Sequence, residues 1–287
     1  MKHRQMITLF AVVLSIVLLT SAAFARGASQ EIIVGVAPGP YGDMFKKAIK
    51  PGLEKKGYKV EIKEFSDYVQ PNLALANGSI NVNLYQHLPY LEKFSKDKGL
   101  KISPIRSLRR NNQTITVPTA GLGLYSRKIK SLNQLKAGDE VTIANDPTNL
   151  ARALRLLQKN GLVKLRGDID QTKASEKDIA ENPRGLKVRP IEAAQLPRSL
   201  DSVALSAVNG NYAISAGIPL SSAIIKEKLD ENLHLVVAVR TEDLEKPFAK
   251  DIRDVVESAG FKKVITDPGN IFKDFSQPAW LQSAKKR

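Results

Sequence analysis

Beyond residue 25 the chain alternates between short apolar runs and longer amphipathic stretches. "EIIVGVA" (31–37) reads as a buried strand, and the stretch from Tyr41 to Lys56 as a helix after a Gly/Pro turn. "KVEIKEF" (59–65) alternates apolar and polar positions as a strand does. "VQPNLALANG" (69–78) then reads as a short helix closed by Gly78. "INVNLY" (80–85) gives a third strand, followed by "PYLEKFSKDKG" (89–99), a helix opened by proline. Strands and helices alternating in this way, with crossovers of this length, build a parallel sheet.

The pattern changes at 111–126, where "NNQTITVPTAGLGLYS" predicts extended chain crossing to a second unit. A new series follows: the strand "DEVTIAND" (139–146), a helix over 148–160, the strand "LKVRPIE" (186–192) and the helix "AAQLPRSL" (193–200). The strand "SVALSAV" (202–208) and the helix "GNYAISAG" (210–217) complete it. "LHLVVAVR" (233–240) is a strand able to return to the first unit, before the helical "KPFAKDIRDVVESAG" and an aromatic tail with Phe272, Phe275 and Trp280. The predicted fold is α/β with two lobes, each a mainly parallel sheet flanked by helices, and a ligand cleft between them. Residues 26–117 plus 234–287 form lobe 1, and 118–233 form lobe 2. Open α/β sheets bind ligands beyond the carboxyl ends of their strands. Polar residues collect at those ends here, in "PGPYGD", "SDY", "QHLPY", "NDPTN" and "NGN".

The first 25 residues follow another plan. Lys2 and Arg4 precede an apolar run from Ile7 to Leu19, and Ala23-Phe24-Ala25 supplies small residues at a cleavage point. This is the layout of a secretory signal peptide, and the run is short for a membrane span. An exported, periplasmic protein is expected. The chain has no cysteine, which removes disulfides, a thiol nucleophile, thiolate metal sites and lipid attachment through a cysteine. On that ground a freely soluble protein is expected. The formal charge of +15 is spread along the chain among acidic residues, with small clusters at Arg109-Arg110 and Lys285-Lys286-Arg287. Without a nucleic-acid motif, this reads as a solvated basic surface and points to no nucleic-acid partner.

Two stretches carry candidate chemistry. In "ANDPTNLARALRLLQ" (144–158), Asp146 or Thr148 can cap the helix. Capping leaves Arg152 unexplained, because an arginine in the first turn opposes the helix dipole. Arginine beside free backbone N–H groups is, however, a good carboxylate receptor. Asn149 and Arg152 are therefore candidates for gripping an anion, with an ordinary surface arginine as the alternative. In "NLYQHLPYL" (83–91), Tyr85, His87 and Tyr90 surround one strand end. No further histidine or carboxylate nearby completes a zinc site. Aromatic rings around a polar imidazole suit a small organic ligand, with packing at a strand end as the alternative. Ser215, Asp230 and His234 fall in hydrolase order, but Ala213 replaces the first glycine of the nucleophile elbow and the surrounding pattern is helical. No enzyme activity and no cofactor is expected.

Several blocks resemble, in order and spacing, the NlpA/MetQ family of methionine-type substrate-binding proteins of ABC importers. They are "GVAPGPYGD", "DYVQPNLALANGSINVNLYQHLPYL", "LYSRKIKSL", "IANDPTNLARALRLLQ", "ENPRGLKV", "EAAQLPRSLD" and "AVNGNYAISAGI". The resemblance covers nearly all of the chain after the leader. It implies a type II periplasmic-binding-protein fold, a small amino acid as ligand (methionine or a relative), and a membrane permease and ATPase as partners of a monomer. It further implies that Arg152 grips the ligand carboxylate with help from Asn149, and that Asn209 bonds the head group. Tyr68, Tyr85 and His87 would line the side-chain pocket, with Tyr90 close by. Methionine-specific members of the family carry aromatics in the segment that reads "TITVP" here, so Ile115 and Val117 are expected to reshape that pocket. The rival reading from another class is a sensor or adhesin that uses its basic surface.

Overall fold

The computed structural model describes residues 30–282. The expected leader and the basic cluster at 285–287 lie outside the described residues. Strand β1 (Glu31–Val36) leads into one helical run: α1 (Tyr41–Met44), a π-helical turn (Phe45–Ile49) and α2 (Lys50–Glu54). Pro51 has no N–H to donate four residues back, so the α ladder has to change before it, and the wider turn does so. Phe45 and Ile49, both fully buried, bracket that turn. Next come β2 (Lys59–Glu64), α3 (Gln70–Ala76), β3 (Val82–His87) and α4 (Leu88–Lys98). Gly99 ends α4 in the left-handed region, at φ 64°.

Short strands β4 (Ile102–Pro104), β5 (Thr116–Val117) and β6 (Leu122–Tyr125) follow, then β7 (Glu140–Ala144) and α5 (Pro147–Lys159). A small hairpin, β8 (Lys164–Leu165) with β9 (Ile179–Glu181), precedes β10 (Lys187–Ile191) and α6 (Leu196–Ser199). Strand β11 (Leu205–Asn209) runs straight into α7 (Gly210–Ser215), and β12 (Ile225–Lys226) and β13 (Leu235–Arg240) come after it. Helices α8 (Pro247–Val256), α9 (Ala259–Thr266) and α10 (Ala279–Gln282) close the chain.

The strands form two main sheets. In the first the order is β2-β1-β3-β13-β4, with β5 also paired to β13. Strands β1, β2 and β3 are parallel, whereas β13 runs antiparallel to β3, β4 and β5. The second sheet has the order β10-β7-β11-β6-β12, with β7, β10 and β11 parallel and β6 and β12 antiparallel. Two segments read from sequence as crossing chain, 116–117 and 122–125, are thus short strands. They are too brief, and in 122–125 too glycine-bearing, to show alternation.

Each sheet has its own core. Helices α1, α2, α8 and α9 pack on the first through Met44, Phe45, Leu53, Ile252, Val256 and Phe261, and α5 packs on the second through Ala151, Leu154 and Leu157. A third cluster holds Tyr68, Tyr85 and Tyr90 from the first sheet's side and Tyr125, Leu196, Val208 and Tyr212 from the second's. It is a seam between the two lobes. Among the described residues no helix is long and apolar enough to cross a membrane.

Candidate functional site

At the seam lies a cavity of about 20 Å³. Its lining includes Tyr68, Tyr85, His87, Tyr90, Asn149, Arg152 and Asn209, all seven of the residues singled out from sequence. Tyr41, Gln86, Thr119, Ala120, Asn211 and Leu235 complete it.

Local chain chemistry explains how these side chains are aimed. Asp146 caps α5, accepting from the Asn149 N–H at 3.0 Å and from the Thr148 hydroxyl at 3.0 Å. The same carboxylate accepts both bonds of the Asn149 amide, at 3.1 and 3.0 Å, which leaves Asn149 Oδ1 to face the cavity. Asn209, the last residue of β11, donates from Nδ2 to that oxygen at 3.0 Å, and its own Oδ1 is buried with no hydrogen-bond partner. His87 caps α4, its Nδ1 accepting from the Tyr90 N–H at 3.2 Å. Nε2 therefore carries the proton and faces Asn149 Oδ1 across the seam at 3.4 Å. Capping and site-building are here done by the same residues.

Arg152 lies in the second turn of α5, not the first, so the helix dipole opposes it less than the sequence suggested. Its guanidinium makes a forked pair with Glu227: Nε donates to Oε1 at 2.8 Å and Nη2 donates to Oε2. Glu227 also accepts from the Leu122 N–H at 3.0 Å, so the carboxylate is held from both sides. Arg152 is 5% exposed. Two of its five N–H groups are committed to Glu227, and the fork cannot rotate away.

The aromatic wall is equally ordered. The hydroxyls of Tyr85 and Tyr90 both donate to the Tyr68 carbonyl, at 2.7 and 3.0 Å, and the Tyr68 hydroxyl donates to Asn211 Oδ1 at 2.6 Å. The Tyr68 ring sits 4.8 Å from that of Tyr212. Burial pushes the hydroxyls of Tyr68 and Tyr85 well above their ordinary range, so they remain protonated donors. With Arg152 matched by Glu227 and His87 neutral, the cavity carries no uncompensated positive charge. Such a site suits a zwitterion better than a simple anion.

Burial and the nearby Arg152 charge hold His87 down at about 3. In the unfolded chain it titrates near its ordinary 6.5. The stability it contributes is therefore complete above pH 6.5 and is lost as the pH falls towards 3. Wild type is expected to lose about 2 kcal/mol between pH 6.5 and 5 that a His87→Gln variant keeps. Urea melts at pH 7 and pH 5 check this, and parallel losses in both proteins would show that His87 protonates freely in the fold.

The family model for NlpA lipoprotein matches residues 32–280. The chain belongs to the NlpA lipoprotein family. It is 38% identical over 254 residues to the D-methionine-binding lipoprotein MetQ of Salmonella typhi, covering 88% of this chain and 89% of that one. A Burkholderia cenocepacia nutrient-binding protein solved bound to methionine is 37% identical, with a TM-score of 0.75 over 82% of this chain and 95% of that one. A Coxiella burnetii structure described as an ABC transporter periplasmic substrate-binding protein is 39% identical. It has a TM-score of 0.76 over 86% of this chain and all of that one. The two-lobed α/β fold is that of these binding proteins.

Membership of this family corrects the localisation drawn from composition. The family and its MetQ relatives are named as lipoproteins, which overturns the expectation of a freely soluble protein without a lipid anchor. A lack of cysteine describes the thiol chemistry of these residues and says nothing of how the relatives are held. The expectation for Ile115 and Val117 also falls. Both are fully buried in the first lobe's core and neither lines the cavity. Ser215 ends α7, five residues past the strand-to-helix junction where an elbow nucleophile would stand.

Sequence reasoning in this NlpA family member missed Tyr41, Asn211 and Glu227. The first two sit in "PGPYGD" and "NGN", strand ends already marked as polar. Glu227 lies in the charged stretch "IIKEKLD", where nothing distinguishes it from solvated neighbours.

Proposed function

We propose that this chain is the substrate-binding component of an ABC importer and captures a small amino acid, methionine or a close relative, between its lobes. The observation that carries the reading is the pairing, in one buried cavity, of the fixed Arg152 fork with the unpartnered Oδ1 of Asn209. The ligand carboxylate meets the N–H groups that Arg152 has left, with Asn149 beside it. The ammonium donates to Asn209 Oδ1. Tyr68, Tyr85 and His87 border the apolar side chain with Tyr90 close by, and tyrosine rings make favourable contacts with a thioether. The names of the relatives, D-methionine-binding and methionine-bound, support that ligand class. Binding changes no covalent bond; the partners are a membrane permease and its ATPase.

Selectivity for the closed form follows from contacts that exist only when both lobes meet the ligand. The crossings near residues 118 and 234 serve as the hinge between lobe 1 (26–117 plus 234–287) and lobe 2 (118–233). Calorimetric titration with L- and D-methionine is expected to give saturable one-to-one binding of at least one enantiomer. No heat from either up to about 1 mM, where binding is worth only some 4 kcal/mol, would refute methionine as ligand.

Closure also makes a second prediction. Gly39 has φ 125°, and a Cβ there would stand 2.6 Å from the Asn211 carbonyl oxygen, while Asn211 Nδ2 donates to the Pro38 carbonyl at 2.9 Å. Gly39→Ala is expected to place strain on the order of 1–3 kcal/mol on the closed form and weaken ligand binding roughly 10- to 100-fold. Titration of the variant reads the change. An affinity equal to wild type would mean that closure does not bring the Gly39 turn and the start of α7 together.

A further inference from the structure

Helix α5 carries a second set of cations that the ligand cavity does not use. Arg152, Arg155 and Lys159 follow each other at spacings of three and four, which puts them on one face of the helix. Behind Arg152 that face borders another pocket, with a volume of about 140 Å³. Lys228 and Asp230, from the segment returning to the first lobe, line it too, with Leu156 and Leu233 as apolar walls.

The charges there do not balance. Arg152 and Glu227 neutralise one another. Among the described residues, Arg155, Lys159 and Lys228 make no ion pair, and Asp230 is the one remaining acid of the lining. Three cations face one carboxylate. Arg155 Nε is moreover buried with no hydrogen-bond partner. Like charges a turn apart on a helix repel, and a buried guanidinium N–H without an acceptor is costly. Both are relieved by one ligand, a small group with several acceptor oxygens and about two negative charges.

We infer that this pocket binds a phosphate-type oxyanion, with Arg155 supplying the forked donor and Lys159 and Lys228 the flanking charges. A guanidinium fork matches the edge of such an oxyanion, and ammonium groups act beside it as point charges. The pocket shares only Arg152 with the lining of the ligand cavity, so the inference stands independently of what that cavity holds. The oxyanion can be free phosphate or the headgroup of an anionic lipid, and the two sources separate by experiment.

Inorganic phosphate is titrated into the purified protein at constant ionic strength, with chloride as balance, and followed by calorimetry. Vesicles of phosphatidylglycerol or phosphatidylcholine are tested by flotation alongside. Saturable one-to-one phosphate binding that weakens at least tenfold in Arg155→Gln and in Lys228→Gln, and not in the exposed control Lys177→Gln, identifies a free-anion site. Flotation with phosphatidylglycerol vesicles alone, lost in the same two variants, identifies a headgroup site. The inference is overturned if neither probe binds saturably, or if both variants bind as wild type does while circular dichroism shows them folded.

Discussion

Replacing Arg152 by alanine is expected to raise the dissociation constant for methionine by about 30-fold to several thousand-fold. Truncating one partner of a buried, hydrogen-bonded charge pair costs roughly 2–5 kcal/mol, and each 1.4 kcal/mol is a factor of ten. Arg152 is nearly inaccessible to water, so little solvent can take over when its guanidinium is gone. Glu227 would then face the ligand carboxylate across the vacated space, and like charges add to the loss. Arg152→Lys separates charge from shape. An ammonium keeps the positive charge but cannot serve Glu227 and the ligand through one planar fork, so an intermediate affinity is expected. Calorimetry on the three proteins decides it. An Arg152→Ala constant within threefold of wild type would remove this residue from the ligand's environment.

Glu227→Ala is expected to act chiefly on the fold. Breaking a buried pair by removing one partner leaves an uncompensated charge and typically costs about 3–5 kcal/mol. The variant also strips the Leu122 N–H of its acceptor. For a chain of this size the melting temperature should fall by roughly 10 °C. Methionine should restore part of that loss, because its carboxylate supplies the counter-charge that Glu227 no longer gives. The ligand-induced rise in melting temperature is therefore expected to be larger in Glu227→Ala than in wild type. A variant that melts with wild type in the absence of ligand would show that the pair contributes nothing to the fold.

What could be read in advance follows from how far each signal extends along the chain. The strands at 31–36, 59–64 and 82–87 and the helix after Pro147 announce themselves through periodicity and caps, both local properties. The residues that line the cavity could be marked as candidates because they stand at or just after strand ends, where polar groups have no structural need to gather. The partner of Arg152 could not. Glu227 is 75 residues away, and only the tertiary fold makes it different from any other surface glutamate. The direction of β13 was hidden for the same reason, since its sequence fits a buried strand of either polarity. Ile115 and Val117 were misplaced because a β-branched run looks the same beside a pocket and beneath a sheet.

The position of β13 in the first sheet bears on how the chain acquires its structure. Every strand of the second sheet lies within residues 122–226, so that unit can assemble from contiguous sequence. The first sheet needs residues 235–240 between β3 and β4, and these emerge from the ribosome some 130 residues after β4. Long-range pairings form late, because the loop they close must be ordered first. Until β13 arrives, β3 and β4 present unpaired edges and the apolar faces of Val82, Leu84 and Ile102. A half-made chain is therefore a folded second lobe carrying an adhesive, incomplete first one, the state most in need of a chaperone.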